Sequence, residues 1–118
     1  DFDNDGRMDL LVANLNDSPA LLRNTTSLPG CHWLMLKLVG HTSNCDGIGA
    51  RIRCLVGDKA QIRERVSGGS YASSHDPRVH FGLGAATSVP EIGIRWPSGK
   101  TQKLTNVKAD QILTIDEP

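Results

Sequence analysis

The stretch from Ala50 to Val66, "ARIRCLVGDKAQIRERV", decides the fold. On both sides of Gly57-Asp58 polar and apolar residues alternate, which is the period of a strand with one face buried. A Gly-Asp pair between two such runs marks a hairpin. Read that way, the even positions Ala50, Ile52, Cys54, Ile62 and Val66 make the apolar face. Arg51, Arg53, Arg63 and Arg65 are all odd and emerge together on the opposite face. Like charges facing across strands repel mildly. One reading therefore lays an anion over them: a neighbouring carboxylate, a glycan or another domain. The other leaves four solvated arginines. Glu64 falls on the apolar face, at its edge or paired with an arginine from another strand.

The same signature recurs outward along the chain. Residues 8–13, 20–23, 33–39, 78–83, 91–96, 101–104 and 111–115 read as further short strands. Turn residues separate them about every ten positions, the spacing of an all-β sandwich or barrel. Trp96-Pro97-Ser98-Gly99 reads as a hairpin turn, with Trp96 joining Ile92 and Ile94 in the core. Helix is limited at most to one turn near residues 85–87. The expected fold is all-β: an antiparallel β-sandwich or barrel-like domain.

A chain of 118 residues with 13 basic and 13 acidic side chains has no global field to draw it to nucleic acid or an anionic membrane. Aromatic residues are too few for stacking on single strands, and no apolar run approaches a membrane span. Cys31, Cys45 and Cys54 form no CxxC pair, so a zinc site is not expected. Either Cys54 is a small buried hydrophobe with the others incidental, or one disulfide forms, Cys45 with Cys54 or Cys31 with Cys54.

Charge is nonetheless uneven. The chain opens "DFDNDGRMDLLVAN", with Asp1, Asp3, Asp5 and Asp9 inside nine residues. So many carboxylates repel one another unless a cation sits between them. A hard cation such as calcium takes oxygen ligands from alternate residues of a tight loop. The four aspartates supply side-chain oxygens, the Arg7 carbonyl can supply another, and Gly6 permits the turn. The loop is not an EF-hand, because Val12 stands where a bidentate glutamate is required and a strand follows instead of a helix.

This loop-then-strand pattern resembles the calcium loop of FG-GAP/VCBS repeats, the blades of extracellular β-propellers. The resemblance implies calcium held by Asp1, Asp3, Asp5, Asp9 and the Arg7 carbonyl, in a partial repeat covering residues 1–24. Because the chain starts in mid-motif, it reads as the end of a longer protein with propeller blades upstream. After a linker at 25–31, "HWLMLKLVG", "DGIGARIRC", "VSGGSYASSHDPRVHFGLG", "IRWPSGKTQ" and "LTNVKADQILTIDE" follow in order the pattern of the ASPIC/UnbV domain over residues 32–118. Such domains are associated with secreted proteins, so an extracellular or cell-envelope location is implied. No catalytic residues come with the family.

Two further readings concern sites. Tyr71, His75, Asp76, Arg78 and His80 either line a polar pocket for a hydroxylated ligand, or Asp76-Pro77 builds a turn and the rest anchor the loop. "SGGS" at 67–70 has no helix after it and no phosphate-cradling role, and "GGSYA" lacks a nucleophile elbow. No histidine, serine and carboxylate spacing assembles a triad. The expectation is a non-catalytic binding or adhesion module, with Arg51, Arg53, Arg63, Arg65, Tyr71, Arg78 and His80 as candidate contacts to a glycan or other anionic surface. The alternatives are a purely structural cap on the propeller and a hydrolase accessory domain. Sequons at Asn16 and Asn24 mark potential N-glycan sites.

Overall fold

The computed structural model describes residues 1–69 and 71–118, so the reading of 67–70 falls outside the described residues at Ser70. Nine strands carry the fold: β1 (Leu10–Val12), β2 (Ala20–Leu22), β3 (His32–Val39), β4 (Arg51–Val56), β5 (Lys59–Glu64), β6 (Val79–Gly84), β7 (Ser88–Arg95), β8 (Thr101–Lys108) and β9 (Gln111–Asp116). Among the described residues there is no helix, and residues 85–87 are turn and coil.

The strands form a four-stranded sheet in the order β5-β4-β7-β8, a three-stranded sheet in the order β6-β3-β9, and a separate β1-β2 ribbon. Leu34, Leu36, Leu38 and Phe81 meet Ile52, Cys54, Ile92 and Ile94 between the two larger sheets, with Trp96 closing one end. This is a β-sandwich, as alternation predicts. One pair departs from the antiparallel expectation, since β9 runs parallel to β3. The chain leaves β8 at Lys108 and enters the other sheet at once through Asp110, whose φ of +57° makes the sharp corner. A crossing between sheets frees β9 from the reversal that a hairpin imposes.

The "WPSG" turn joins β7 to β8, with the Lys100 carbonyl accepting from Trp96 N–H at 2.9 Å. The indole N–H of Trp96 donates to Gln102 Oε1 at 3.0 Å, so burying the ring leaves no polar atom orphaned.

The β4-β5 hairpin corrects the face assignment. Val56 pairs with Lys59, Cys54 with Gln61, Arg53 with Ile62, Ile52 with Arg63 and Arg51 with Glu64. Directly opposed residues share a face. A two-residue loop, with Gly57 at φ +57°, always opposes an even position to an odd one. The four arginines therefore do not form one face. Arg51 and Arg53 lie outside with Ile62, which is 46% exposed, and Glu64 stands opposite Arg51, not on the apolar side. Arg63 and Arg65 lie on the inward side, Arg63 overhanging the edge and Arg65 buried. Val66 is exposed, not core.

The three cysteines are free thiols; the disulfides weighed for Cys54 do not form. Cys54 sits in the core, and burial pushes its thiol pKa up to about 11. Cys31 and Cys45 are exposed. Titration with a thiol reagent is expected to modify two cysteines in the native protein and the third only after unfolding, because the thiolate is the reactive form.

Candidate functional site

The acidic loop lies on the outer face of the three-stranded sheet. Its docking begins at Gly6, which is buried with φ +87°. A Cβ there would sit 2.2 Å from the Trp33 ring, so the backbone itself packs on the indole. His80 Nε2 donates to the Gly6 carbonyl at 3.0 Å, which requires the proton to be on Nε2. Burial lowers the His80 pKa, against the hydrogen bond to Gly6, which raises it, and the nearby Arg63 charge adds to the lowering. Arg78 donates to Asn4 Oδ1 and to the Asp1 carbonyl. Met35, opposite His80 on β3, is fully buried although it lies outside the inter-sheet core, on the strand face where Gly6 packs on Trp33.

Arg78 is fixed by Asp76: Nε is shared between Oδ1 at 2.9 Å and Oδ2 at 3.1 Å, Nη2 donates to Oδ2, and Oδ1 also accepts the Arg78 backbone N–H at 2.8 Å. Hydrogen bonds from Arg78 hold the Asp76 carboxyl below its usual range. The predicted hydroxyl-binding pocket is thus not assembled. Tyr71 is 98% exposed, His75 is exposed, and Arg78 and His80 bond to the loop. Asp76-Pro77 makes the turn, and its neighbours are anchors.

Within the loop, carboxylate oxygens of Asp1, Asp3 and Asp9 all come within 4.8 Å of one another. Asp1 accepts the N–H groups of Asp5 and Gly6 at 3.0 and 2.9 Å. Asp9 accepts those of Asn24 and Phe2, both at 2.8 Å, and these bonds lower its pKa. A carboxylate oxygen that accepts one hydrogen bond retains capacity for a second partner. Three convergent carboxylates, Asp1 and Asp9 held by backbone donors and Asp3 by Arg23, suit an oxygen-seeking hard cation.

Asp5, the fourth expected carboxylate, is placed differently. Asp5 is drawn into an ion pair with Arg7 and lies 3.7 Å from Arg23. The Arg7 guanidinium also donates to the Asn24 carbonyl at 2.9 Å. Arg23, absent from the sequence reading, bridges Asp3 and Asp5 and spreads positive charge along the cluster. No motif marks Arg23; only the β1-β2 pairing brings it back to the loop.

On the outer face of the four-stranded sheet Arg51 opposes Arg95 directly, and Arg53 lies 3.6 Å from Glu91. Gly93 opposes Arg53 and leaves an open floor between them. Arg95 is the partner that sequence parity missed.

The strongest polar knot lies at the C-terminus. Glu117 Oε2 accepts the N–H groups of His41, Thr42 and Ser43 at 2.8, 2.8 and 2.7 Å. Its Oε1 takes the hydroxyls of Ser43 and Ser98.

Compared with known proteins, residues 40–118 match the family model described as ASPIC and UnbV. That is about two-thirds of the chain, from the end of β3 through β9. No curated protein matches the chain significantly. The chain belongs to the ASPIC and UnbV family.

Proposed function

We propose that this chain is a non-catalytic extracellular binding module whose sandwich is docked on a calcium loop of FG-GAP/VCBS type, at the end of a β-propeller. The observation that carries this reading is the convergence of Asp1, Asp3 and Asp9, seated on the sandwich through Gly6, Asn4 and the Arg78-His80 pair. A cation there would neutralise the cluster and stiffen the loop against Trp33. Upstream blades are the natural partner of the β1-β2 ribbon, which exposes Leu10, Leu11, Leu21 and Leu22. A two-stranded ribbon is marginal alone. Among the described residues no helix is long and apolar enough to cross a membrane.

Thermal melts in calcium and in EDTA test this. A ligand at a hundred times its Kd stabilises by about 2.7 kcal/mol. The melting temperature is expected to rise by roughly 10 °C with calcium, and not in Asp9→Asn. Identical melts in calcium and EDTA would remove the metal from the proposal.

The exposed leucine ribbon also favours a second reading, a structural cap that closes the propeller. A glycan array separates the two. Specific binding lost on joint substitution of Arg51 and Arg53 supports recognition by the outer face, and a blank array supports the cap.

A further inference from the structure

Arg65 is only 8% exposed. Its N–H donates to the Ala50 carbonyl and its carbonyl accepts from Gly49, which pins it beside the start of β4 with its side chain inward. One guanidinium nitrogen, Nη1, donates to the Val66 carbonyl. Among the described residues Arg65 makes no ion pair, while every other arginine pairing belongs to Arg7, Arg23, Arg53 or Arg78. A buried cation without a counter-charge is costly.

A guanidinium has five N–H donors. Among the described residues no fully buried side-chain nitrogen lacks a partner, and Nε and Nη2 make no hydrogen bond there, so both are reachable from an open space. The space that Arg65 lines is a cavity of about 380 Å³. Lys37, Asp46, Asn4 and Arg78 share its wall, and Pro77 and Ile112 give it an apolar side. Arg78 is neutralised by Asp76. Lys37 and Arg65 against Asp46 then leave one net positive charge. Asn4 has its Oδ1 occupied by Arg78, so its amide nitrogen remains as a donor.

We propose that this cavity binds an organic carboxylate of sugar-acid size. Arg65 presents the planar fork that matches a carboxylate with two parallel hydrogen bonds. Lys37 adds the second positive charge, and the Pro77-Ile112 side receives the body of the molecule. One negative charge balances the site, which selects a monoanionic carboxylate over a phosphate. The volume falls within the usual range for small-molecule pockets, about 300–1,000 Å³. The proposal rests on the reading of the chain as a binding module and is independent of calcium at the acidic loop.

The test is an amide and arginine side-chain NMR titration of the full chain at low salt, with glucuronate, acetate, glucose and inorganic phosphate as probes. Glucuronate and acetate are expected to move the Asn4, Lys37, Asp46 and Arg65 Nε–H signals saturably, and glucose to leave them still. Lys37→Gln, an exposed change that spares the core, is expected to weaken glucuronate by about fivefold, and Arg65→Lys to abolish saturation. Signals unmoved by glucuronate at high concentration overturn the site. So do a stronger response to phosphate than to acetate, and shifts that survive in both variants. A flat titration beside an intact calcium response removes the carboxylate site and leaves the metal loop standing.

Discussion

Replacing Glu117 by glutamine is expected to lower the melting temperature at neutral pH by roughly 10 °C or more. The carboxylate is 3% exposed and accepts five hydrogen bonds. Three successive backbone N–H groups converge on a single oxygen, an arrangement that favours a full negative charge. An amide keeps one acceptor and turns its other end into a donor facing donors, which leaves buried groups unsatisfied. The knot joins the end of β9 to the loop after β3. Through Ser98, whose N–H also donates to the Ser43 hydroxyl at 3.0 Å, it also joins the "WPSG" turn.

The pH dependence gives this result a signature. Burial alone would raise the Glu117 pKa, but the hydroxyls of Ser98 and Ser43 and the backbone donors outweigh it and hold the carboxyl far below its usual 4.5. A depressed folded pKa contributes stability above the unfolded value and loses it as pH falls toward the folded one. The wild-type advantage over Glu117→Gln should therefore be full above about pH 5 and shrink steadily below it. Melting curves of the two proteins that stay parallel from neutral pH to pH 3 would contradict the assignment.

The second large effect is expected at Gly6. An alanine there would place its Cβ 2.2 Å from the Trp33 ring in a backbone with φ +87°. Left-handed strain costs about 1–2 kcal/mol and overpacking about 1–3 kcal/mol, so a loss of about 2–5 kcal/mol is expected. The loop should lift away from the sheet. Trp33 fluorescence would then shift to the red, while Trp96 stays in the core, and the Met35 amide would exchange faster. Gly82→Ala is the control: its Cβ meets nothing within 4 Å, and it should be close to neutral. If both variants melt alike, the loop does not hold the sheet.

Much of the fold was legible because strand alternation is local. "ARIRCLV" and "KAQIRERV" announce strands whatever they pair with, and Gly57-Asp58 announces their turn. "WPSG" and the core place of Trp96 were readable for the same reason. The candidate site was legible only in part. Four aspartates in nine residues mark the loop, but nothing local says that Arg7 pairs with Asp5 and Arg23 bridges Asp3 and Asp5 while Asp1, Asp3 and Asp9 converge. Arg78 and His80 look like ligand contacts from their chemistry. Their actual partners, Asn4 and Gly6, are 74 residues away in the chain.

By itself, then, the sequence determined an all-β chain, its strand positions and turns, and an acidic loop with the composition of a hard-cation site. Each of these follows from residues within a few positions of one another. Tertiary structure decided which faces those strands present. The two-residue hairpin opposes even positions to odd, sending Arg65 inward and Glu64 outward, and parity along one strand carries no information about its partner. It also decided that the loop packs on Trp33, and that Glu117 is a buried anchor. Those outcomes depend on hydrogen bonds between distant segments, which exist only once the two sheets have packed.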